Sequence, residues 1–430
     1  MKTIHQLNEL ITYARQHSGF YTETLSPINQ PITALSQLPL TDPVDYWNQS
    51  HDLDRWPVLT GSPSQALVFK TGGSTSAGKL SIYSRSEWHT LVRDFGHSLT
   101  MQFKPDDRVA NLFFAGDLYA SFLFIHDALA HVDTSITEFP FTGDVDSSVL
   151  AEAIVQHRIN VLAGVPAHLL AFAAWLSRHG QILQGVETIL YGGESLFASQ
   201  RQVLGQVFPN ARITSIGYAS VDAGFIGAST LDCDDGEHRM QDEHAIIEII
   251  DEVSGALIDD CDQPGLLVLT NLNRTLMPLI RYPVGDRACW REPAGTARRK
   301  FALKGRSASS QRVRVGLLSL IPSEIGAIVR HTVGSDDWQL MIEQTAHKDV
   351  LSLKWQPTTP LPPSDEDACR QLESRLAECY PLIKKLQADQ LLELRIQRCT
   401  SEDLQRHPRS GKCLRVLDRR VYSPPAAGLT

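Results

Sequence analysis

Lys70 through Trp88 reads KTGGSTSAGKLSIYSRSEW, which sets Thr71, Gly72, Gly73, Ser74, Thr75, Ser76, Ala77 and Gly78 ahead of Lys79. The apolar run Ala66-Leu67-Val68-Phe69 just before it reads as a short strand. A glycine-rich turn after a strand lets backbone N–H groups approach oxygen atoms closely. Hydroxyls add donors, and one lysine adds a mobile positive charge, so the segment suits a polyphosphate. It is not a Walker A loop, because Leu80 follows Lys79 where that loop needs Ser or Thr.

Further polar turns follow strand-like runs. Thr188-Ile189-Leu190 leads into Tyr191-Gly192-Gly193-Glu194-Ser195, and Arg212-Ile213-Thr214-Ser215-Ile216 into Gly217-Tyr218-Ala219-Ser220-Val221-Asp222. Later stand Pro278-Leu279-Ile280-Arg281-Tyr282-Pro283-Val284-Gly285-Asp286, then Lys304-Gly305-Arg306-Ser307, and finally Arg409-Ser410-Gly411-Lys412-Cys413.

The elements that must hold these turns are legible as alternation. Val109 to Phe114, Val149 to His157 and Val161 to Gly164 are placed among the strand-like runs, and Ser121 to His131 and Ala167 to Arg178 among the helices. This pattern predicts α/β layering with mainly parallel strands and phosphate loops at strand ends. Ala245 to Ile250 and Leu266 to Thr270 read as an antiparallel meander. Beyond Trp290, Ile321 to Arg330 and Asp365 to Leu386 read as helical, with strands at Trp338 to Glu343, Val350 to Trp355 and Leu391 to Ile396.

Bulk properties narrow the function. A chain of 430 residues exceeds one ordinary core, so two or more domains are expected. A net charge of -9 argues against a nucleic-acid surface, which needs excess Lys and Arg. No run approaches the roughly 20 apolar residues of a bilayer span, and the N-terminus turns polar too early for a signal peptide, so a cytoplasmic protein is expected. The 7 scattered cysteines are read as free thiols.

In their order and spacing these motifs resemble those of the adenylate-forming superfamily: acyl-CoA synthetases, peptide-synthetase adenylation domains and luciferases. The closest likeness is to phenylacetate-CoA ligase and its small bacterial relatives, some of which sit in antibiotic pathways. Leu7 to Arg15 with Gly19-Phe20-Tyr21 and Leu38 to Asp42 are similar to the family's opening landmarks, so the resemblance covers nearly the whole chain.

The resemblance implies a large layered α/β adenylation domain over residues 1–305 and a small α+β C-terminal lid over residues 306–430. It implies ATP and Mg²⁺ as cofactors and a small carboxylic acid as substrate, activated as an acyl adenylate with release of pyrophosphate. Coenzyme A is then the expected acceptor. A carrier protein or partner enzyme is the alternative acceptor, and a non-catalytic nucleotide- and acid-binding protein of the same fold is the further alternative. A homodimer is admitted, and neither nucleic acid nor membrane is an expected partner.

Residue by residue, the resemblance places Thr71, Gly72, Gly73, Ser74, Thr75 and Lys79 around the triphosphate. Tyr218 lies against adenine, with Gly193 and Glu194 lining its other face, and Asp286 and Arg306 hold the ribose. Lys412 is the catalytic lysine carried in by the lid. Asp222 stands where most relatives have a glutamate for Mg²⁺; it is a hard-oxygen ligand shorter by one methylene. Phe114, Gly116, Tyr119, Gly192 and Gly217 outline the acid pocket, whose aromatic and small residues suit a flat ring.

Two departures stand out. The family's hinge aspartates are replaced by Ser307-Ala308-Ser309-Ser310-Gln311-Arg312. Some relatives hold a structural zinc, but Cys233, His238 and Cys289 fall short of four ligands, so zinc is not expected.

Overall fold

Val161–Gly164 and Thr188–Tyr191 are buried at every position, as strands covered on both faces must be. They form the middle of a five-stranded parallel sheet. Its order is Ile136–Phe139, Asp107–Leu112, Val161–Gly164, Thr188–Tyr191, Arg212–Ser215. Helices Ser121–Leu129, Ser147–Gln156, Pro166–Arg178 and Ala198–Val207 connect successive strands. The computed structural model describes residues 2–29, 31–70, 79–241, 243–307, 313–316, 318–345, 348–357, 365–405 and 413–421.

A seven-stranded antiparallel sheet stands beside the parallel one. The predicted meander is its core: Ala245–Ile250, Gly265–Asn271, Leu279–Trp290 and Lys300–Arg306 pair in succession. Glu237–Met240, Gly224–Ala228 and Tyr218–Ser220 complete it. Only two residues separate the last parallel strand, Arg212–Ser215, from Tyr218–Ser220, so the chain passes directly from one sheet to the other. From Val313 onward a separate apolar core forms around Leu340, Leu353, Trp355 and Leu372. It covers a four-stranded sheet of Leu392–Arg398, Asp349–Trp355, Trp338–Gln344 and Val416–Asp418.

Val149 to His157, grouped with the strand-like runs, is helical. Asp146 accepts a hydrogen bond from the Ser148 N–H at the start of helix Ser147–Gln156, and Leu150, Ala151, Ala153 and Ile154 bury one face. Spacing of three and four, not two, sets the buried stripe. The helical stretch from Asp365 to Leu386 is interrupted: Asp365–Cys379 stops before Pro381, which lacks an N–H, and Leu382–Ala388 resumes after it.

Helix Arg85–Leu99 matters most for the site. Ser84 Oγ accepts from the Glu87 N–H at 3.2 Å while Glu87 Oε2 accepts from the Ser84 N–H at 2.8 Å, a reciprocal cap. The other Glu87 oxygen accepts from the N–H groups of Thr275 and Leu276 at 2.6 and 2.8 Å, pinning the helix start to the antiparallel sheet region. Trp88, Val92, Phe95 and Leu99 are buried along one stripe. Among the described residues no helix is long and apolar enough to cross a membrane.

The strand Leu279–Trp290 carries an irregularity opposite Leu269 and Asn271, where Arg281 takes φ 45°. A left-handed arginine is strained and has to be held. Its guanidinium makes two 2.9 Å bonds to Glu248 and one of 2.6 Å to the Leu38 carbonyl, with side-chain exposures of 9% and 8% for the Arg281–Glu248 pair. Removing one partner of such a pair leaves a buried charge uncompensated. Glu248→Gln should therefore destabilise this part of the protein by about 3 kcal/mol, read as a lower denaturant midpoint.

Candidate active site

The carboxyl ends of parallel strands open onto one cavity of about 840 Å³. Phe113 and Phe114 follow the strand ending at Leu112, Val165 to His168 the one ending at Gly164, Gly192 to Phe197 the one ending at Tyr191, and Ile216 to Tyr218 the one ending at Ser215. The antiparallel sheet supplies Asp222, Tyr282 to Asp286 and Arg306.

Of the residues expected at the site, Lys79, Gly192, Gly193, Glu194, Gly217, Tyr218, Asp222, Asp286, Arg306, Phe114 and Tyr119 all line this cavity. Thr71, Gly72, Gly73, Ser74, Thr75 and Lys412 lie outside the described residues. Gly116 does not line the cavity: it is exposed in the turn after Phe114, and a Cβ added there would meet nothing within 4 Å. Its smallness serves the turn rather than a ring. By contrast, a Cβ on Gly192 would stand 2.6 Å from Ile216 Cγ2, and one on Gly217, at φ +130°, 2.9 Å from Phe95. Only glycine fits at those two positions.

Tyr218, Asp286 and Arg306 form one unit. The Tyr218 hydroxyl donates to Asp286 Oδ2 at 2.5 Å, and Arg306 Nε lies 3.1 Å from Asp286 Oδ1. Burial, with the Asp286 charge next, holds the Tyr218 phenol well above its ordinary value, so it stays a donor. Arg306 also donates to the Val284 carbonyl at 3.3 Å. The Asp286 carboxylate is thereby fixed in the cavity, with acceptor capacity beyond these two bonds.

Asp222 is equally constrained. Oδ1 accepts from Ser220 Oγ at 2.6 Å and from the Ala223 N–H at 3.0 Å, while Oδ2 accepts from the Tyr282 hydroxyl at 3.2 Å. Beneath it the fully buried Arg274 donates to the Asp222 and Ile82 carbonyls and lies 3.9 Å from the Tyr83 ring centroid. Among the described residues no group of three or more His, Cys, Asp or Glu side chains is placed to hold a metal. His238 instead pairs with Ser215 Oγ at 3.2 Å and packs against Phe301, and burial pushes its imidazole down to about 4.

Several cavity residues escaped the sequence reading. Trp88, Leu91 and Phe95 come from helix Arg85–Leu99, and Phe124 and Ile125 from helix Ser121–Leu129. Their helical spacing was a signal of burial, but not of which cavity they line. Arg314, Asp349, Lys385 and Arg420 arrive from the C-terminal segment, with no local motif to announce them. Arg314 donates to the Gly193 carbonyl at 2.6 Å, and Arg420 lies 5.4 Å from the Phe197 ring while donating to the Arg314 carbonyl. Cys413, which follows Lys412, packs elsewhere, with its thiol donating to the Trp338 carbonyl at 3.7 Å.

Glu194 faces Arg314, Asp349 and Arg420, and its Oε1 has no hydrogen-bond partner. Burial pushes its carboxyl up to about 7, opposed by Arg314.

No protein-family model matches the chain. An indoleacetate–lysine synthetase of Pseudomonas savastanoi is 26% identical over 193 residues, 43% of this chain and 43% of that protein. A phenylacetate-coenzyme A ligase of Aromatoleum evansii is 23% identical over 222 residues, 51% of this chain and 49% of that one. The chain thus spans about half the length of the curated relatives it matches. A 2-hydroxyisobutyryl-CoA ligase solved with 2-HIB-AMP and CoA superposes with a TM-score of 0.72 at 19% identity, covering 97% of this chain and 89% of its own. The chain shares the fold of this acyl-CoA ligase. The fold is shared as well by the amide bond synthetase of Marinactinospora thermotolerans, with a TM-score of 0.52 at 15% identity over 82% of this chain and 68% of that one.

Two outcomes follow from this geometry. Asp286→Ala leaves the Tyr218 hydroxyl without its acceptor, and a buried donor left unpaired costs about 1–3 kcal/mol. The denaturant midpoint should therefore fall by a corresponding amount. For Glu194, a folded-state value raised from 4.5 to about 7 means the folded protein holds the extra proton. Its contribution to stability is fully present below the unfolded value and is lost as pH rises through about 7. Melting curves of Glu194→Gln against the parent should diverge in favour of the variant between pH 5 and pH 7, and run parallel above that range.

Proposed function

We propose that this protein activates a carboxylic acid with ATP and passes the acyl group to a thiol, coenzyme A being the acceptor. The acid's carboxylate attacks the α-phosphorus of ATP, giving an acyl adenylate and pyrophosphate. The thiol then displaces AMP. The observation that carries this reading is the single cavity that joins an apolar ring-lined chamber to the Tyr218–Asp286–Arg306 unit and Lys79. A nucleotide and an organic acid bound there would be brought into register, and alignment of two anions is most of what the reaction needs.

In this reading the chain divides into an adenylation domain over residues 1–305 and a lid over residues 306–430, working in the cytoplasm. Tyr218 covers the adenine and Asp286 accepts the ribose hydroxyls. Lys79 and the glycine-rich segment Thr71 to Gly78 screen the phosphates. Asp222 suits Mg²⁺: a fixed carboxylate oxygen at the cavity wall is a hard ligand, and Mg²⁺ commonly takes one or two carboxylates with the substrate's phosphates. Bound there, the ion would neutralise phosphate charge, while Ser220 and Tyr282 hold the carboxylate that receives it. Lys412 stabilises the charge that develops between carboxylate and α-phosphate.

Hand-over to a carrier protein or partner enzyme is the second reading, favoured by Ser307 to Arg312 lacking the family's hinge aspartates. Formation of a thioester with free coenzyme A separates the two. The adenylation step is tested by trapping acyl adenylates with hydroxylamine across a panel of acids. Lys412→Ala should lower that rate by about 10²- to 10³-fold while ATP affinity stays near the parent value; unchanged turnover removes Lys412 from the mechanism.

A further inference from the structure

Trp47 ends the short helix Pro43–Trp47 and is only 6% exposed. It does not line the cavity, yet it touches side chains that do. Lys79 Nζ stands 5.3 Å from its ring centroid, and its indole N–H donates to the Tyr282 hydroxyl at 2.8 Å. The same hydroxyl donates to Asp222 Oδ2 at 3.2 Å. One indole thus carries on its face the lysine that follows the glycine-rich segment, and at its edge the tie to a carboxylate fixed at the cavity wall.

The direction of that hydrogen-bond chain is forced. An indole N–H can only donate, so the Tyr282 oxygen accepts from it and turns its single phenol proton towards Asp222. Oδ1 of Asp222 already holds two donors, Ser220 Oγ and the Ala223 N–H, which leaves Oδ2 as the oxygen with acceptor capacity to spare. Phenylalanine in place of Trp47 would keep a face for the ammonium but could not set this direction. Tryptophan joins a donor-only edge to the aromatic face that attracts cations best.

The indole itself has little freedom. It stacks on Trp56 with centroids 5.4 Å apart, and the Trp56 N–H donates to the Tyr46 carbonyl at 2.9 Å. The segment around it is fastened to the strand that carries Tyr282 and to the residue before that strand. Thr41 Oγ1 donates to the Ile280 carbonyl at 2.6 Å, the Thr41 N–H to the Arg281 carbonyl at 3.0 Å, and the Tyr46 hydroxyl to the Pro278 carbonyl at 2.9 Å.

We propose that Trp47 is a positioning residue for polyphosphate binding, setting the Lys79 ammonium and the Asp222 carboxylate in register from behind the cavity wall. The inference rests on the proposed reading, in which those two groups face phosphate and Mg²⁺, and it gives the N-terminal segment a part in that site. An aromatic face holds an ammonium without neutralising it, so the charge stays available to phosphate. Partners that orient a metal's ligand govern how well the ion is held, even though they never touch it.

Calorimetric dissociation constants for ATP, with Mg²⁺ and with EDTA, separate the two arms. Trp47→Phe keeps the face and loses the N–H: metal-free ATP should bind within about twofold of the parent, while the gain in affinity from Mg²⁺ should shrink about 3- to 10-fold. Tyr282→Phe removes the next link and should shrink that gain about 10-fold. Adding Trp47→Phe to it should cost nothing more, because the indole acts through that hydroxyl. Trp47→Leu should in addition weaken metal-free ATP about 3- to 10-fold; if thermal melts show that it fails to fold, the two phenylalanine variants decide. Additive losses in the double variant, or variants that bind ATP as the parent does in both conditions, reduce Trp47 to core packing and overturn the proposal, as does a parent that gains nothing from Mg²⁺. A parent that binds ATP in neither condition removes the nucleotide reading itself, and the proposal with it.

Discussion

The position of Asp286 constrains everything around the cavity. A carboxylate cannot sit at the floor of a partly desolvated cleft unless its oxygens are engaged. Here one is reached by the Tyr218 hydroxyl and the other by Arg306. Tyr218 opens the first antiparallel strand after the parallel sheet, Asp286 lies within the 12-residue strand Leu279–Trp290, and Arg306 closes the strand Lys300–Arg306 beside it. Satisfying one side chain therefore ties the exit of the parallel sheet to two neighbouring strands of the other sheet. The left-handed turn at Arg281, held by Glu248, lies in the same strand as Asp286, five residues before it.

Charge is distributed unevenly along the cleft. One end gathers Lys79, Arg306 and Asp286, with Arg274 buried under the Asp222 loop; the other is walled by Trp88, Leu91, Phe95 and Phe124. On the proposed reading, a polyanion and a mostly apolar acid would be sorted by this gradient before any particular contact is made. Arg274 shows how firmly the polar end is built. A fully buried guanidinium gripping the Asp222 and Ile82 carbonyls fixes the main chain on both sides of a candidate metal ligand.

Much of this was readable in the amino-acid order because turn chemistry is local. Glycine-rich turns after short apolar runs mark strand ends, so Gly192 to Glu194 and Gly217 to Asp222 could be placed without coordinates. The errors have local causes as well. Val149 to His157 is short and apolar enough to pass for a strand until its buried stripe is seen at helical spacing, and Gly116 sits in the right loop but on its outer side. The residues that went unread belong to elements that meet only in space. Trp88 and Phe124 are brought together by packing of two helices, and Arg314 and Arg420 by the C-terminal segment settling on the strand ends. No pattern within one stretch of chain encodes such a meeting.

The Arg314 contact has a thermodynamic corollary. The Gly193 carbonyl it grips belongs to the turn that also walls the cavity, so the posture of the C-terminal segment and whatever fills the cleft act on the same few backbone atoms. Reciprocity then requires that a ligand which tightens or loosens this grip shift the segment's equilibrium by the same factor that the segment's departure alters the ligand's affinity. The segment would in that sense read out occupancy, through Gly193 together with its contacts at Glu194 and Phe197.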